Sequence, residues 1–522
     1  MKKDRKMVAL PFSSSPNSIT TRRFSINVVS NIARVVIAAV TWMVLTPLLI
    51  SNLGIEAYGV VALAFSVYKM VSFMDGAIRT PFVRFFTLAI KSGRSESANV
   101  YFNTGLFSTL FVLCLSICIS PVVMFYGPRF LTVPAGYELE SGFLIAAGLL
   151  AGILPMVQNI FESIPFAQNR LDLVNLSLAS KNIIFLTGIF TGFYVFGPIL
   201  WHVGIWFILS GLGSLAIASW IWRKLRDSGL KINWACFRLA YLKDMVSMGS
   251  WLSLNQAGGV MLFQVNVFIV NVYLGAEVQG RFSAVQQWEM LVRIGAAALS
   301  SALIPVLLER FATKGKNELV KLGCRATKLL GIALSFPVGL LVGLSGPLMS
   351  VWLGPEYRNM APLVVVLIAP LCITAAFQPL LSVQMTLNKI RWPAVVTLVS
   401  GLISILISIC WVHWLPELGL GVALAGVIGL LGKHIFFTPI YTSRILNVPW
   451  KTFFLPILPG ILGTLVIGLV SYTLSVFWYP DSWFEIGLLS CVSVIPYCFF
   501  VFRICLDVPE RTLLCNVLAI KK

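Results

Sequence analysis

The chain has 522 residues, of which 58% are hydrophobic and only 11% are charged. Soluble globular proteins carry about 25% charged residues and about 45–50% apolar ones, so this composition excludes a soluble enzyme and a string of soluble domains. A net charge of +19 would suggest a nucleic-acid partner in a soluble protein, whereas in a membrane protein the first question is where the cations lie.

Hydrophobic segments of spanning length predict an all-α polytopic membrane protein. A helix needs about 20 predominantly apolar residues to cross the bilayer, and fourteen segments meet this requirement. In chain order they cover residues 26–52, 58–83, 99–126, 141–166, 173–197, 199–222, 246–273, 282–308, 327–353, 361–387, 393–415, 418–443, 453–479 and 483–506. Residues 1–23 and 507–522 are predicted as cytoplasmic tails, because the apolar stretch after the basic start is too short for a signal peptide.

The distribution of Lys and Arg supports an even number of spans. With the N-terminus in the cytoplasm, the loops and tails on that side hold 30 basic residues, and the outer loops hold three. Cytoplasmic loops carry such an excess, and one miscounted span would exchange the sides of every later loop. Both termini are therefore predicted to be cytoplasmic.

Three motifs occur twice in the same order and predict an internal repeat. L-G-x-E-x-x-G occurs at residues 53–59 and 274–280, G-P-x-[FY] at 127–130 and 354–357, and N-[RK] at 169–170 and 388–389. With six spans per copy, the two copies have the same orientation in the membrane, and transporters built in this way bind substrate near the midplane between their halves.

The repeat also predicts the domain boundaries. Two six-helix lobes would cover residues 24–222 and 246–445, joined by a basic cytoplasmic linker at 223–245. Two further helices at 446–506 would be appended to the second lobe.

The sequence carries no pattern typical of an enzyme. The loops between the spans are too short for a catalytic domain, the chain has three His, and no G-x-x-x-x-G-K-[ST] phosphate loop is present. The ten Cys form no C-x-x-C pair, and Cys114 and Cys118, which lie one helical turn apart, have no His or carboxylate close in sequence that would complete a metal site. We therefore expect no catalytic residues, no cofactor and no metal.

Charged residues within the spans are the candidates for function. A charge at the bilayer centre costs about 2.5–3.5 kcal/mol on insertion scales, so such residues usually face a cavity. Counting about 1.5 Å per residue, Arg34, Lys69 and Arg293 lie near the midplane in segments one, two and eight. An excess of positive charge at this depth would attract an anion, and above all a phosphate, whose oxygens match the Arg fork.

A second interpretation of these charges is structural. Glu289 lies one turn from Arg293 and Asp75 one turn from Arg79, so each pair could be a neutral packing bridge. Arg34 and Lys69 have no acid one turn away, and they could snorkel or pair with another helix. The polar residues of segment seven that would meet a neutral ligand are Asn255, Gln256, Gln264 and Asn266.

Several short motifs resemble those of the bacterial polysaccharide flippases, which belong with the multidrug and toxin extrusion transporters in one exporter superfamily. The motifs are L-G-x-E-x-Y-G at 53–59, Asp75-Gly76 and Arg84 in segment two, F-A-Q-N-R at 166–170, G-S-W at 249–251 followed by Asn255-Gln256, and W-L-G-P-E-Y at 352–357. The resemblance extends from about residue 24 to 445 and more loosely to 506.

The resemblance implies a V-shaped transporter of fourteen helices in the inner membrane of a bacterium. It would flip an undecaprenyl-diphosphate-linked oligosaccharide, such as a repeat unit of O-antigen or exopolysaccharide, from the inner to the outer leaflet. Helices one, two, seven and eight would line a cationic cavity, which places Asp75, Arg79, Glu289 and the three midplane cations there. In segment seven, many relatives carry an acid where this chain reads Gln264-Val265-Asn266, which weakens an ion-coupling role for that helix.

The expected partners follow from the same resemblance. They are the lipid-linked oligosaccharide, the surrounding membrane lipid, and a polysaccharide polymerase with its chain-length machinery, with no nucleic acid and with the transporter acting as a monomer. Two alternatives belong to other classes. A cation-coupled multidrug exporter would need acids at mid-depth in the cavity, and a membrane-embedded polysaccharide polymerase or ligase would need a substantial outer loop.

Overall fold

The computed structural model describes residues 18–226, 230–301 and 315–505, with Leu307, Arg310, Phe311 and Thr313 between the last two ranges. Most of the predicted tail 1–23 and all of the tail 507–522 lie outside the described residues. The described residues form helices joined by short turns and contain no β-strand. This observation confirms the prediction of an all-α membrane protein.

The first lobe consists of seven helices. They are α1 (Ser18–Leu53), α2 (Ile55–Lys91), α3 (Ser95–Tyr126), α4 (Glu138–Phe161), α5 (Ser163–Ala167), α6 (Leu171–Phe196) and α7 (Leu200–Leu225). Segment four is thus interrupted once, at Glu162, where α4 ends and the short α5 begins.

The second lobe and the appended pair contain more interruptions. Their helices are α8 (Leu239–Phe263), α9 (Val265–Ser301), α10 (Lys316–Gly343), α11 (Ser345–Leu353), α12 (Ala361–Ile368), α13 (Leu371–Thr374), α14 (Gln378–Thr386), α15 (Arg391–Trp411), α16 (Leu420–Leu431), α17 (Thr438–Leu446), α18 (Leu458–Phe477) and α19 (Trp483–Phe500). The segment Gly432–Phe437 between α16 and α17 is a π-helix.

Among the described residues, thirteen helical stretches are long and apolar enough to cross a membrane. One of them, Ser253–Ser300, has 48 residues, about twice the length that one crossing needs. Gly275 interrupts it with φ 89° and ψ 173°, a conformation that Gly adopts at no steric cost. This stretch is long enough for segments seven and eight, so the thirteen stretches correspond to the fourteen predicted segments, with the end of segment eight partly outside the described residues.

The backbone shows the internal repeat more clearly than the sequence does. Four positions with positive φ occur at matching places in the two lobes. They are Gly54 (85°) and Gly275 (89°), Gly93 (68°) and Gly315 (74°), Asn169 (57°) and Asn388 (55°), and Gly197 (83°) and Gly419 (71°). Each residue lies in the turn after a spanning helix, so the two lobes repeat their connections as well as their helices.

The lobes meet at the end of the bundle that carries the Gly54 and Gly275 turns, here called the far end. A Cβ atom on Gly59 of α2 would lie 2.5 Å from the carbonyl oxygen of Ala276, and one on Gly280 of α9 would collide with the carbonyl oxygen of Ile55. The two L-G-x-E-x-x-G motifs therefore cross with backbone against backbone, in a reciprocal contact that relates the lobes by a pseudo-twofold axis. Small residues permit such close approach between membrane helices.

Two further contacts close the far end. The side chain of Asn271 in α9 accepts a hydrogen bond from the backbone N–H of Thr132 and donates one to its carbonyl oxygen, both at 2.9 Å. The indole N–H of Trp352 in α11 donates to the carbonyl oxygen of Met43 in α1 at 3.0 Å. Both contacts join the two lobes.

The described part of the predicted linker is hydrogen-bonded to the first lobe. Asn103 of α3 donates to the carbonyl oxygen of Lys231 and accepts from the backbone N–H of Asn233, both at 2.8 Å. The next helix begins at Leu239, earlier than the predicted residue 246, and α1 begins at Ser18 rather than near residue 24. The polar ends of both helices escaped a search for apolar segments.

The turn after α14 offers a test of the backbone repeat. Asn388 is exposed and has φ 55°, so Asn388→Val is expected to destabilise the protein by about 1–2 kcal/mol, the usual cost of the left-handed region. Asn388→Gly should stay close to wild type, because Gly adopts this conformation freely. Thermal unfolding in detergent would measure the difference, and equal effects of the two variants would contradict the assigned turn geometry.

Candidate functional site

The second half of α9 separates polar cavities from an apolar groove. Met290, Arg293 and Ile294 face a polar pocket, whereas Leu291 and Gly295 face the groove. Residues three and four apart share one face of a helix, so this spacing gives α9 one polar and one apolar side.

The first polar cavity lies between the lobes and has a volume of about 160 Å³. It receives Lys69 from α2 of the first lobe, and Glu289 and Arg293 from α9 of the second. Arg293 Nη1 lies 3.7 Å from Glu289 Oε1, and its guanidinium carbon lies 3.6 Å from the ring centroid of Phe263. The cavity therefore holds two cations and one acid, a net charge of +1.

The Glu289–Arg293 pair is asymmetric in exposure. The side chain of Glu289 is 6% exposed and that of Arg293 is 35% exposed. Glu289 is thus buried behind the arginine, which keeps part of its fork open to the cavity. An anion could reach Arg293 without displacing Glu289.

The second polar cavity lies inside the second lobe and has a volume of about 370 Å³. Asn255 and Gln256 of α8 line it together with Arg293, so the structure brings three of the predicted site residues to one place. Asn255 Oδ1 accepts a hydrogen bond from the Thr397 hydroxyl at 2.9 Å, which fixes its orientation. We call this cavity the second-lobe pocket.

Two residues of the second-lobe pocket were not among the predicted site residues. Lys433 and His434 are consecutive, both line the pocket, and both are buried. They lie in the π-helix between α16 and α17, an irregularity that often marks functional sites. The sequence signal for this pair was the presence of a lysine within segment twelve. That lysine lies nearer the predicted cytoplasmic surface than the midplane cations do.

The remaining predicted charges form a separate group in the first lobe. Arg34 interacts electrostatically with Arg79 and with the buried Glu162, and Arg34 Nη2 donates to Asn31 Oδ1 at 3.0 Å. Neither Arg34 nor Arg79 lines the two polar cavities. The cavity between the lobes thus holds two of the four basic residues, Lys69 and Arg293, and the gathering of all four around one cavity stays a prediction.

Asp75 has a different partner from the one that its spacing suggested. Its Oδ2 accepts a hydrogen bond from Asn159 of α4 at 2.8 Å, and no ion pair with Arg79 forms within 4 Å among the described residues. The structure thus anchors Asp75 to α4 of the first lobe, and Asp75 is not among the residues that line either polar cavity.

Asn266 lies in the packing of the second lobe. Its side chain is buried, donates to the carbonyl oxygen of Leu262 at 3.0 Å and accepts from Ser408 at 3.3 Å. The small space beside it has a volume of about 20 Å³, too small for a sugar. A direct role in substrate binding, as predicted, therefore finds no support in this conformation. The nearby Gln264 does line the cavity between the lobes.

The apolar groove on the other side of α9 has a volume of about 530 Å³. Its walls come from α9, α10, α11 and the appended helix α19, and include Trp288, Leu291, Leu340, Trp483 and Ile486. The appended helix α19 thus completes the apolar groove against the helix that carries Arg293.

Comparison with known proteins places the chain in a family. A family model described as polysaccharide biosynthesis protein matches residues 21–311. The chain belongs to this family. The match covers the whole first lobe and the helices α8 and α9, which contain the cavity between the lobes, and it confirms the sequence resemblance to the polysaccharide flippases.

One relative and two solved structures are similar to most of this chain. The "uncharacterized membrane protein EpsK" of Bacillus subtilis (strain 168) is 28% identical over 490 residues, covering 92% of this chain and 94% of that protein. A multidrug-resistance MATE family transporter in an inward-facing conformation is similar with a TM-score of 0.64 at 15% identity, covering 80% of this chain and 98% of that one.

A second similar structure is the lipid II flippase MurJ in an inward closed conformation. It has a TM-score of 0.63 at 15% identity, and the alignment covers 90% of this chain and 97% of that one. The two solved structures show that this chain shares the fold of that MATE family transporter and of MurJ.

Proposed function

We propose that this protein flips undecaprenyl-diphosphate-linked oligosaccharide repeat units from the inner to the outer leaflet of the cytoplasmic membrane, for surface polysaccharide biosynthesis. The observation that carries the proposal is the two-sided α9, which presents Arg293 to polar cavities and Leu291 and Gly295 to an apolar groove. A lipid-linked saccharide has the same division into a polar and an apolar part.

The cavity between the lobes suits the diphosphate. Lys69 and Arg293 face it from opposite lobes, so a diphosphate could contact both lobes at once. Charge-assisted hydrogen bonds between basic groups and phosphate are about twice as strong as neutral ones. A cation on each lobe also gives the substrate a means to couple the movements of the two lobes.

The apolar groove suits the lipid. Its apolar walls lie directly behind Arg293 on the same helix, so a polyprenyl chain could lie in it while the diphosphate stays in the polar cavity. Burial of apolar surface contributes about 25 cal/mol per Å², although in a membrane the competing environment is lipid and the net gain is smaller. The groove would orient the lipid more than bind it tightly.

The reciprocal contact of the lobes at the far end supports alternating access. In our proposal the far end faces outward, which puts both termini and the basic linker in the cytoplasm, in agreement with the positive-inside distribution. With the far end closed, the substrate would enter from the cytoplasmic side, and separation of the Gly59 and Gly280 contacts would release it outward. The protein would act as a monomer, and a polysaccharide polymerase would consume the flipped unit.

Deletion of the gene in its own bacterium tests the function. We expect lipid-linked repeat units to accumulate in the cytoplasmic leaflet and surface polysaccharide to fall, because synthesis of the repeat unit would continue without export. Re-expression of the wild-type chain should reverse both changes. Normal surface polysaccharide in the deletion strain would contradict the proposal.

A further inference from the structure

We propose that the second-lobe pocket binds an anionic sugar, so that the glycan carried by this transporter contains an acidic residue such as a uronic acid. The inference rests on the proposed function, because it assigns the sugar to the same lipid-linked substrate. It concerns a site separate from the cavity that would hold the diphosphate.

Two interruptions in the second lobe build the pocket. Segment ten is divided into α12, α13 and α14, and its residues Thr374, Ala375 and Gln378 at the breaks line the pocket. Segment twelve contributes the π-helix with Lys433 and His434. Binding sites of transporters are typically formed where spanning helices are discontinuous, and here two such helices face the same cavity.

The pocket has an unbalanced positive charge. Lys433 is 7% exposed and His434 is 8% exposed, and both interact electrostatically with Arg293. No carboxylate is among the described residues that line the pocket, and no described acid pairs with Lys433 within 4 Å. A buried charge without a partner is costly, so this arrangement favours an anion that enters the pocket.

An orphaned polar atom points in the same direction. His434 Nδ1 is buried and has no hydrogen-bond partner, whereas buried polar groups of folded proteins are nearly always hydrogen-bonded. A ligand with hydroxyl or carboxylate groups would provide the missing partner. The same pocket therefore lacks both a counter-charge and a hydrogen-bond partner.

The size and lining of the pocket indicate a sugar rather than a bare ion. Its volume of about 370 Å³ is about twelve times the space that one water occupies in the liquid, roughly 30 Å³, and a single oxyanion would leave most of it empty. The uncharged polar residues of the wall are Asn255, Gln256, Thr374, Gln378 and Thr397. Their amides and hydroxyls can exchange hydrogen bonds with sugar hydroxyls, while Lys433 and Arg293 meet the acid.

The second-lobe pocket differs from the cavity between the lobes in the residues that line it. Every residue that lines it belongs to the second lobe, and Lys69 is not among them. Arg293 is the cation that lines both cavities. A substrate with its diphosphate between the lobes could therefore place a sugar on the other side of Arg293.

Calorimetric titration of the purified chain in lipid nanodiscs tests the inference, with D-glucuronate, D-glucose and sulfate as probes. We expect glucuronate to bind about tenfold more tightly than glucose, because one charge-assisted hydrogen bond contributes about 1.5 kcal/mol or more. Lys433→Met should remove that preference. Lys321→Met removes an exposed lysine outside the pocket and should leave it unchanged.

Each other result overturns the inference in a defined way. Glucuronate and glucose of equal affinity, or a preference that survives Lys433→Met, would show that the pocket holds no acidic sugar. Sulfate that binds as tightly as glucuronate would assign the pocket to a free oxyanion instead. If the deletion strain shows the expected accumulation and these titrations fail, the flippase function stands without an acidic glycan.

Discussion

Exchanging the charges of Glu289 and Arg293 is expected to lower the transport rate by at least about 100-fold, although the ion pair between the two positions is kept. The double variant Glu289→Arg/Arg293→Glu moves the cation to a position outside the second-lobe pocket and puts a carboxylate where both polar cavities meet. Loss of two charge-assisted contacts of about 1.4 kcal/mol each corresponds to this factor.

The exchange is more informative than removal of the arginine. Arg293→Gln would leave the buried Glu289 without a partner, and breaking a buried pair costs about 3–5 kcal/mol. A loss of transport could then reflect misfolding. The exchanged pair keeps the protein neutral at this site, so size-exclusion profile and thermal stability should stay close to wild type while flipping in proteoliposomes is lost.

A matched control lies on the same helix. Glu277 and Arg281 form an i,i+4 pair at 2.6 Å near the beginning of the second span of α9, exposed at the far end. Exposed pairs contribute about 0–1 kcal/mol, so Glu277→Arg/Arg281→Glu should change transport by less than about tenfold. Equal transport by both exchanged variants would mean that Glu289 and Arg293 form a packing bridge without a role in the substrate path.

The turns between the spans were predictable from single residues. Gly54 and Gly275 were visible as a repeated motif because their positive φ angles strongly favour Gly. Asn169 and Asn388 were visible for a related reason, since Asn tolerates the left-handed region better than most residues. The spans themselves followed from apolar length, which the thickness of the bilayer fixes.

The site was less predictable because helix irregularity changes which residues share a face. Asn255 and Asn266 are eleven residues apart, about three turns of a continuous helix, and both were predicted to meet the ligand. The helix is interrupted at Gln264, between α8 and α9, and Asn266 instead contacts Ser408. Lys433 and His434 are the opposite case, in which an irregularity brings residues together. Both line one pocket because they lie in a π-helix, which the sequence did not predict.

The sequence also did not predict which charged residues find partners on other helices. The spacing of Asp75 and Arg79 suggested a local pair, but Asn159 on another helix donates to Asp75. Helical spacing identifies only partners on the same helix, and the contacts between helices decide the rest. The Glu289–Arg293 pair was correct because both partners lie on one uninterrupted stretch of α9.

Replacing either glycine of the far-end crossing is expected to reduce transport at least about tenfold, and by similar factors at the two positions. A valine at 59 would place its Cβ 2.5 Å from the carbonyl oxygen of Ala276, and one at 280 would collide with that of Ile55. Overpacking of this kind costs about 1–3 kcal/mol, and the cost falls on the conformation in which the far end is closed. A loss of 1.4 kcal/mol changes an equilibrium tenfold.

Opening of the far end would show in the labelling of a buried position beside the crossing. Thr46 of α1 is fully buried and lies 3.4 Å from the hydroxyl of Tyr58, so a Thr46→Cys probe in a background without the native cysteines should react slowly with a membrane-impermeant maleimide. Gly59→Val and Gly280→Val should each accelerate this reaction. Gly487→Val is the matched control, because a Cβ there meets no atom within 4 Å.

Substitutions of the two glycines should have equal effects only if their pseudo-twofold contact is the contact that closes the far end. Gly59 packs on the second lobe and Gly280 on the first in the same manner, so each valine separates the same two backbones. A strong effect at one position with none at the other would indicate a local packing role. Wild-type transport and wild-type labelling by both variants would show that the lobes separate elsewhere.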